Sequence, residues 1–199
     1  LTLSGGESRL VLDGASVKAS AAMVTSAGTL ELTNVDAKNA VNSKTGGAVY
    51  LTAGKLSVSG CSFTGNSAKT GGAIDTKTKV GIQMTVADST FSANTATTNG
   101  GAINLMDTNT MTATNTGNKT TKSAANKGGA AVYVANTSAS FDGCTFTENT
   151  VAGNTDSVGG ALCFSAVSAS QTAITVSGST FTGNTAPNGG AIGLSDSGS

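Results

Sequence analysis

The sequence contains no histidine and no tryptophan, one proline and one arginine. Without histidine there is no Ser-His-Asp triad, no Cys-His pair and no imidazole metal ligand. Charged residues make up 11% of the chain, and eleven basic side chains balance eleven acidic ones. A charge-extended disordered chain and a basic nucleic-acid binder are therefore excluded. No apolar run approaches the length of a membrane-spanning helix. The chain begins at Leu1 with no basic or apolar leader, which reads as a piece of a longer repeat protein. Leu, Glu, Lys and Arg are too scarce for a helical bundle. Gly lacks the three-residue period of collagen.

What is abundant is small: 32 Thr, 29 Ala, 27 Gly, 24 Ser and 16 Asn among 199 residues. These residues fall into an internal repeat, the first pattern to seek in a biased sequence. Gly-Gly-Ala recurs at residues 46, 71, 100, 128, 159 and 189. Ahead of four copies stands Phe-x-x-Asn: Phe63 with Asn66, Phe91 with Asn94, Phe146 with Asn149, and Phe181 with Asn184. Weaker copies place Val17, Val35 and Asn118 at the Phe slot. Five residues before each anchor an apolar position recurs, as Leu12, Leu30, Val58, Val86, Ala113, Phe141 and Val176. Two residues earlier the series reads Leu10, Gly28, Leu56, Met84, Met111, Ala139 and Ile174, with Gly28 breaking the pattern. This period-two alternation marks half-buried strands, and a second alternating run follows each Gly-Gly-Ala.

Short strands, Gly/Asn corners and a repeat of roughly 28 residues predict a single all-β domain over residues 1–199. The architecture is a parallel β-helix, a solenoid of about seven rungs in which each rung buries its core against its neighbours. The Phe column points inward and stacks. The Asn takes a corner, where it tolerates the left-handed conformation and ladders along the axis. Four glycine pairs follow the Phe-x-x-Asn copies: Gly71 and Gly72, Gly100 and Gly101, Gly159 and Gly160, and Gly189 and Gly190. They provide positive φ or close backbone approach at another corner. By alternation Cys61 and Cys144 face inward and Cys163 outward, giving three free thiols; a Cys144–Cys163 bridge is the alternative.

Two features bear on function. Ser57, Thr85, Thr112, Ser140 and Thr175 lie between inward positions and predict an outward hydroxyl column. Such a column is a solvated face or an ordered array for ice or a polysaccharide. The carboxylates Asp75, Asp88, Asp107, Asp142 and Asp156 scatter over different slots, so no glycosidase-like pair is expected. No catalytic, cofactor or metal site is predicted. Asn118-Lys-Thr and Asn136-Thr-Ser are formal glycosylation sequons.

The paired Phe-x-x-Asn and Gly-Gly-Ala-[Ile/Leu/Val] motifs, over about residues 30–194, resemble the repeats of the chlamydial polymorphic membrane proteins. That resemblance implies a right-handed parallel β-helix and a surface-exposed autotransporter passenger, outer-membrane-anchored in its parent protein, that adheres to host cells. The expected function is a non-enzymatic extracellular adhesin or rigid stalk. Its motif residues are structural, with adhesion as a second role, and segments 69–70, 97–99 and 152–158 are the displayed loops. The expected partner is a host-cell or other surface receptor, with self-association through the solenoid ends and no nucleic acid. A surface-array binder is the alternative reading, and a polysaccharide-active enzyme a weaker one.

Overall fold

A computed structural model describes all residues except 77–80, 107–111, 117–118, 122–123, 126–127, 154, 166–172 and 196–199. For residues 112–116 and 119–121 it describes the backbone alone. The chain winds as a right-handed parallel β-solenoid with six complete turns and a partial seventh. Four parallel sheets, faces A to D in chain order, form its walls. Face A runs from strand Thr2–Ser4 to Ile174–Ser177 and face B from Leu10–Asp13 to Thr180–Thr182, each with seven strands. Face C has six two-residue strands, from Lys18–Ala19 to Thr150–Val151. Face D has seven, from Val24–Ser26 to Ile192–Ser195.

Each strand pairs with its counterpart one rung away, so equivalent side chains form columns. The face B column reads, by register, Leu12, Ala37, Phe63, Phe91, Thr120, Phe146, Phe181, and its described members face inward. Phe63 and Phe91 stack with ring centroids 4.9 Å apart, as do Phe146 and Phe181. By register, the rung of Thr120 lies between the two stacked pairs. The rest of the core is mainly aliphatic, with Leu32, Val58 and Val86 from face A and Val49, Ile74, Ile103, Val132 and Leu162 from face D, and the ring centroid of Phe141 on face A lies 6.2 Å from that of Phe164 on face D.

These columns correct the register of the weak repeat copies. Ala37, not Val35, pairs with Phe63, and Thr120, not Asn118, pairs with Phe91. Leu12 holds the slot assigned to Val17, which is an exposed corner residue. With the frame moved, Leu30 pairs with Leu56, so the break expected at Gly28 does not exist. The fourth Gly-Gly-Ala also shifts, by one residue. Val132 pairs with Ile103, and positive φ falls on Gly129, so Gly129-Ala130-Ala131 is the equivalent triplet.

Corners follow a regular rule. Between faces B and C the left-handed residue is the one before the motif Asn: Gly65, Ala93, Glu148 and Gly183. The Asn itself was expected to take that conformation; it instead turns its side chain inward. Between faces C and D the two glycines of a pair divide the work. The first of each, Gly71, Gly100, Gly159 and Gly189, has positive φ. The second packs against the next rung. A Cβ on Gly72 would lie 2.1 Å from the Gly101 carbonyl oxygen, so that position cannot carry a side chain without displacing backbone. Gly101 and Gly160 are crowded in the same way, by the Ala130 and Gly190 carbonyl oxygens. Gly190 departs from the expectation of either positive φ or close approach. It lies on the last rung, where a Cβ would meet only the Asn184 carbonyl oxygen, at 3.1 Å.

Insertions gather at two corners. The connection from Val151 to Val158 is four residues longer than its counterpart from Ala125 to Gly128. The connection from Ser165 to Ile174 is five longer than that from Ala135 to Ala139. Together they account for the 35-residue step from Phe146 to Phe181, nine longer than the 26-residue step from Thr120 to Phe146.

Candidate functional site

The motif asparagines lie inside the wall. Asn66, Asn94 and Asn149 are fully buried, while Asn184 on the last rung is partly exposed. Asn94 Oδ1 accepts from the Asn66 backbone N–H and from Asn66 Nδ2, both at 3.0 Å. Asn94 Nδ2 donates to the Phe63 carbonyl at 2.9 Å. Asn66 repeats this one rung lower, to the Ala40 N–H and the Ala37 carbonyl, and Asn184 does so one rung above Asn149. The side chain thus replaces the backbone ladder where the chain turns, satisfying groups that burial would otherwise strand. Phe63, Phe91 and Phe146 are equally withdrawn from solvent.

The glycine pairs follow the same gradient. Gly71, Gly72, Gly100, Gly101, Gly159 and Gly160 are buried. Gly189 is exposed and Gly190 half-exposed, because no described rung covers them. Of the motif residues, therefore, only those of the last copy, Phe181, Asn184, Gly189 and Gly190, reach the surface.

A second polar ladder lies two residues before each Phe. Ser89 Oγ accepts from the Cys61 N–H at 3.1 Å and donates to the Ala87 carbonyl at 2.7 Å. Cys61 Sγ accepts from the Val35 N–H and donates to the Ser59 carbonyl. Ser179 accepts in the same way from Cys144. The two thiols are therefore buried, as alternation predicts, and hydrogen-bonded. All three cysteines are free, with no Cys144–Cys163 bridge.

Cys163 corrects the expectation of an outward, solvent-facing thiol, since it is fully buried. The segment ahead of each Gly-Gly folds over the outer side of face D, so side chains that leave the core there are covered again. A Cβ on Gly128 would lie 3.0 Å from Cys163 Sγ. Burial raises this thiol's pKa to about 12. The same cover buries Asp75 and Asn104, both 2% exposed. Asp75 Oδ1 accepts from the Thr76 N–H and from Asn104 Nδ2, each at 2.8 Å, and Oδ2 accepts from the Thr70 hydroxyl. Desolvation raises the Asp75 pKa to about 6, against the hydrogen bonds from Thr70, Asn104 and Thr76, which lower it.

The hydroxyl column expected on face A needs one replacement. Ser57, Thr85, Ser140 and Thr175 share a column, but the register position between Thr85 and Ser140 is Thr114; Thr112 pairs with Gln83 and Ser138. Glu31 sits beside Ser57 at the column's lower end. A broader array lies on face B, flanking the Phe column. One rank reads Ser62, Thr90, Lys119, Thr145, Thr180, and the other Thr64, Ser92, Thr121, Thr147, Thr182. Its signal was in the sequence: whatever flanks an inward Phe on a strand faces out. Below it the face turns charged, with Arg9 paired to Asp36 at 2.5 Å and Lys38 to Asp13 at 3.4 Å.

The carboxylates do not converge. Asp88 occupies a left-handed corner. Asp142 accepts from Ser177 Oγ at 2.6 Å. Asp156 is exposed and Asp107 lies outside the described residues. Of the sequons, Asn136 occupies a left-handed corner, and Asn118 is outside the described residues. Among the described residues no group of three or more His, Cys, Asp or Glu is placed to hold a metal ion, and no helix is long and apolar enough to cross a membrane. The anticipated loops at 69–70 and 97–99 are stacked corners: the Thr98 N–H and hydroxyl both donate to the Lys69 carbonyl. In segment 152–158, Ala152, Thr155 and Asp156 are exposed.

Comparison with known families returns the Chlamydia polymorphic membrane protein (Chlamydia_PMP) repeat, which matches residues 60–77, 88–105 and 178–195. Each stretch contains one Phe-x-x-Asn and the Gly-Gly-Ala after it. The Phe146 copy, stretched by the insertion after Val151 that separates it from Gly159 and Gly160, is not among them. No match was found among curated proteins or among solved structures.

Proposed function

We propose that this chain is a non-enzymatic, surface-displayed rod whose corners and outer faces present adhesive contacts to a cell-surface receptor. The observation that carries this reading is the tandem match to the polymorphic membrane protein repeat within an unbroken solenoid. Phe, Asn and Gly of the inner copies make the rod stiff and are withdrawn from a partner, so along its length contact falls to variable positions outside the ladders. The insertions after Val151 and after Ser165 are the strongest of these, because solenoid insertions map to loops and often to the binding face. Saturable binding of the purified chain to cultured epithelial cells is the test. Binding should fall when residues 152–157 are shortened to match the preceding rung, with the fold intact by circular dichroism. Absence of saturable binding would overturn an adhesive role and leave a passive stalk.

The Ser and Thr ranks of face B, the first interrupted at the register position of Lys119, favour a second reading, an array that orders water at an ice surface. Ranks on one strand lie about 6.6 Å apart and rungs about 4.8 Å apart, which gives a regular grid. The grid presents no aromatic ring for stacking on sugars, so ice fits it better than a polysaccharide. Inhibition of ice recrystallisation, lost in Thr147→Lys/Thr182→Lys, is the expected result on this reading. No inhibition by the unmodified chain rejects it.

A further inference from the structure

One cluster serves neither the repeat ladders nor display. Asp75 and Asn104 occupy the same outward column of face D on successive rungs, both 98% withdrawn from solvent. The Asn104 Nδ2 donates to Asp75 Oδ1 at 2.8 Å, yet Asn104 Oδ1 is buried without a hydrogen-bond partner. Asn99 Oδ1 is buried and unpartnered as well. Asn99 lies five residues before Asn104, as Thr70 lies five before Asp75, and the Thr70 hydroxyl closes over Asp75. The backbone keeps the same arrangement: Gly71 N–H donates to the Asn99 carbonyl, and a Cβ on Gly100 would stand 2.9 Å from Asn104 Cα. The cluster therefore has acceptors in excess: a carboxylate and two amide oxygens in one buried corner.

The described ionisable groups around it do not supply the missing positive charge. Tyr50 is the neighbour on the strand below, and Lys69 on the covering corner is exposed. Among the described residues no charged side chain contributes to the Asp75 shift. An unpaired carboxylate of this burial is costly, and unpaired amide oxygens add to the cost.

We propose that Asp75, Asn104 and Asn99 form a proton-held latch that ties the Gly-Gly corners of two rungs to face D. In the latched state Asp75 takes one proton from solvent and the Asn104 amide is turned end for end. The Asp75 O–H then donates to Asn104 Oδ1, and Asn104 Nδ2 donates to Asn99 Oδ1. One proton satisfies both orphan oxygens, while the Thr70 and Thr76 donors keep their places on the carboxyl oxygens. Loss of the proton restores the anion and leaves both amide oxygens unpaired. Because the Asp75 pKa is raised to about 6, the exchange falls in mildly acidic conditions.

Side-chain NMR of the full chain tests this. Asp75 should titrate near pH 6, and the Asn99 and Asn104 side-chain amide resonances should move with the same midpoint. Thr70→Val removes a donor to the anion and should raise the midpoint. Asn99→Ala removes the last acceptor of the protonated chain and should lower it. Asn99 and Asn104 amides that ignore the Asp75 titration would overturn the latch, and the unmodified chain alone decides that point. An unchanged midpoint in folded Asn99→Ala would overturn it too, and would assign the orphan oxygens to ordered water.

Discussion

Replacing Asn94 by Ala should cost far more than its polar character suggests. The side chain is fully buried and makes three hydrogen bonds, two accepted from Asn66 and one donated to the Phe63 carbonyl. Deleting it strands the Asn66 N–H and takes the side-chain donor from the Phe63 carbonyl, beside the stacked Phe63 and Phe91 rings. The two buried groups left short, the Asn66 N–H and the Phe63 carbonyl, cost about 1–3 kcal/mol each, a loss of about 2–6 kcal/mol. With a slope near 2 kcal/mol per molar urea, the unfolding midpoint should drop by about 2 M. Asn184→Ala on the partly exposed last rung should cost about half as much, since water replaces some of what is lost. Asn66→Ala and Asn94→Ala combined should cost less than their sum, because they share two bonds. A midpoint drop under about 0.5 M for Asn94→Ala, or strict additivity of the pair, would refute the ladder as a stabilising device.

Other consequences can be measured in the same way. Gly71→Ala combines a positive φ with a Cβ 2.2 Å from the Ile74 carbonyl oxygen, so it should destabilise by more than about 2 kcal/mol. Gly143→Ala shares the positive φ but meets nothing within 4 Å, and should cost about 1 kcal/mol; equal urea midpoints for the two would refute the role of the close approach. Cys61, Cys144 and Cys163 are buried, and burial raises the pKa of Cys61 and Cys163. The native protein should therefore react with a thiol reagent at pH 8 only as fast as it unfolds, releasing all three thiols in denaturant. Asp75 binds its proton more tightly folded than unfolded, with a pKa of about 6 against 3.8. Its contribution is thus fully present below the unfolded pKa and is lost as pH rises through the folded pKa. Stability should fall by up to about 3 kcal/mol between pH 4 and 6 and level above that, once the carboxylates common to both states are accounted for. Asp75→Asn should abolish that component of the slope in urea titrations across this range.

How much of this was readable from the residues depends on the length of the repeat signal. Where Phe, Asn and Gly-Gly occur together, as around Phe63, Phe91 and Phe181, two corners and a core position are named at once and the register follows. Where only an apolar residue stands in for Phe, the frame is ambiguous by two. Val35 is as buried as Ala37, and both face inward from one strand. A slip of one residue would move every side chain to the wrong face, but a slip of two leaves the inside–outside pattern intact. Alternation therefore exposes odd errors and hides even ones, and Val35 and Asn118 were both displaced by two. The Gly-Gly-Ala-Ala run at 128–131 is ambiguous for a different reason. It offers two frames, and only the left-handed φ at Gly129 chooses between them.

The candidate sites divide along the same line. The face B array needs only local alternation, because each Ser or Thr beside an inward Phe must point out. Burial of Cys163, Asp75 and Asn104 needs more. Alternation correctly turns these side chains away from the core, and on a two-sided sheet that would mean solvent. Here the chain entering each Gly-Gly corner crosses back over face D, so the outer side has a cover of its own. The Gly pairs are what let it do so: the first supplies the reversal, and the second allows the next rung's carbonyl to approach within reach of its Cα. The motif that sets the repeat is thus also the reason an outward acid loses its water. Asp75 and Asn104, 29 residues apart, become partners only through a register that no local pattern states.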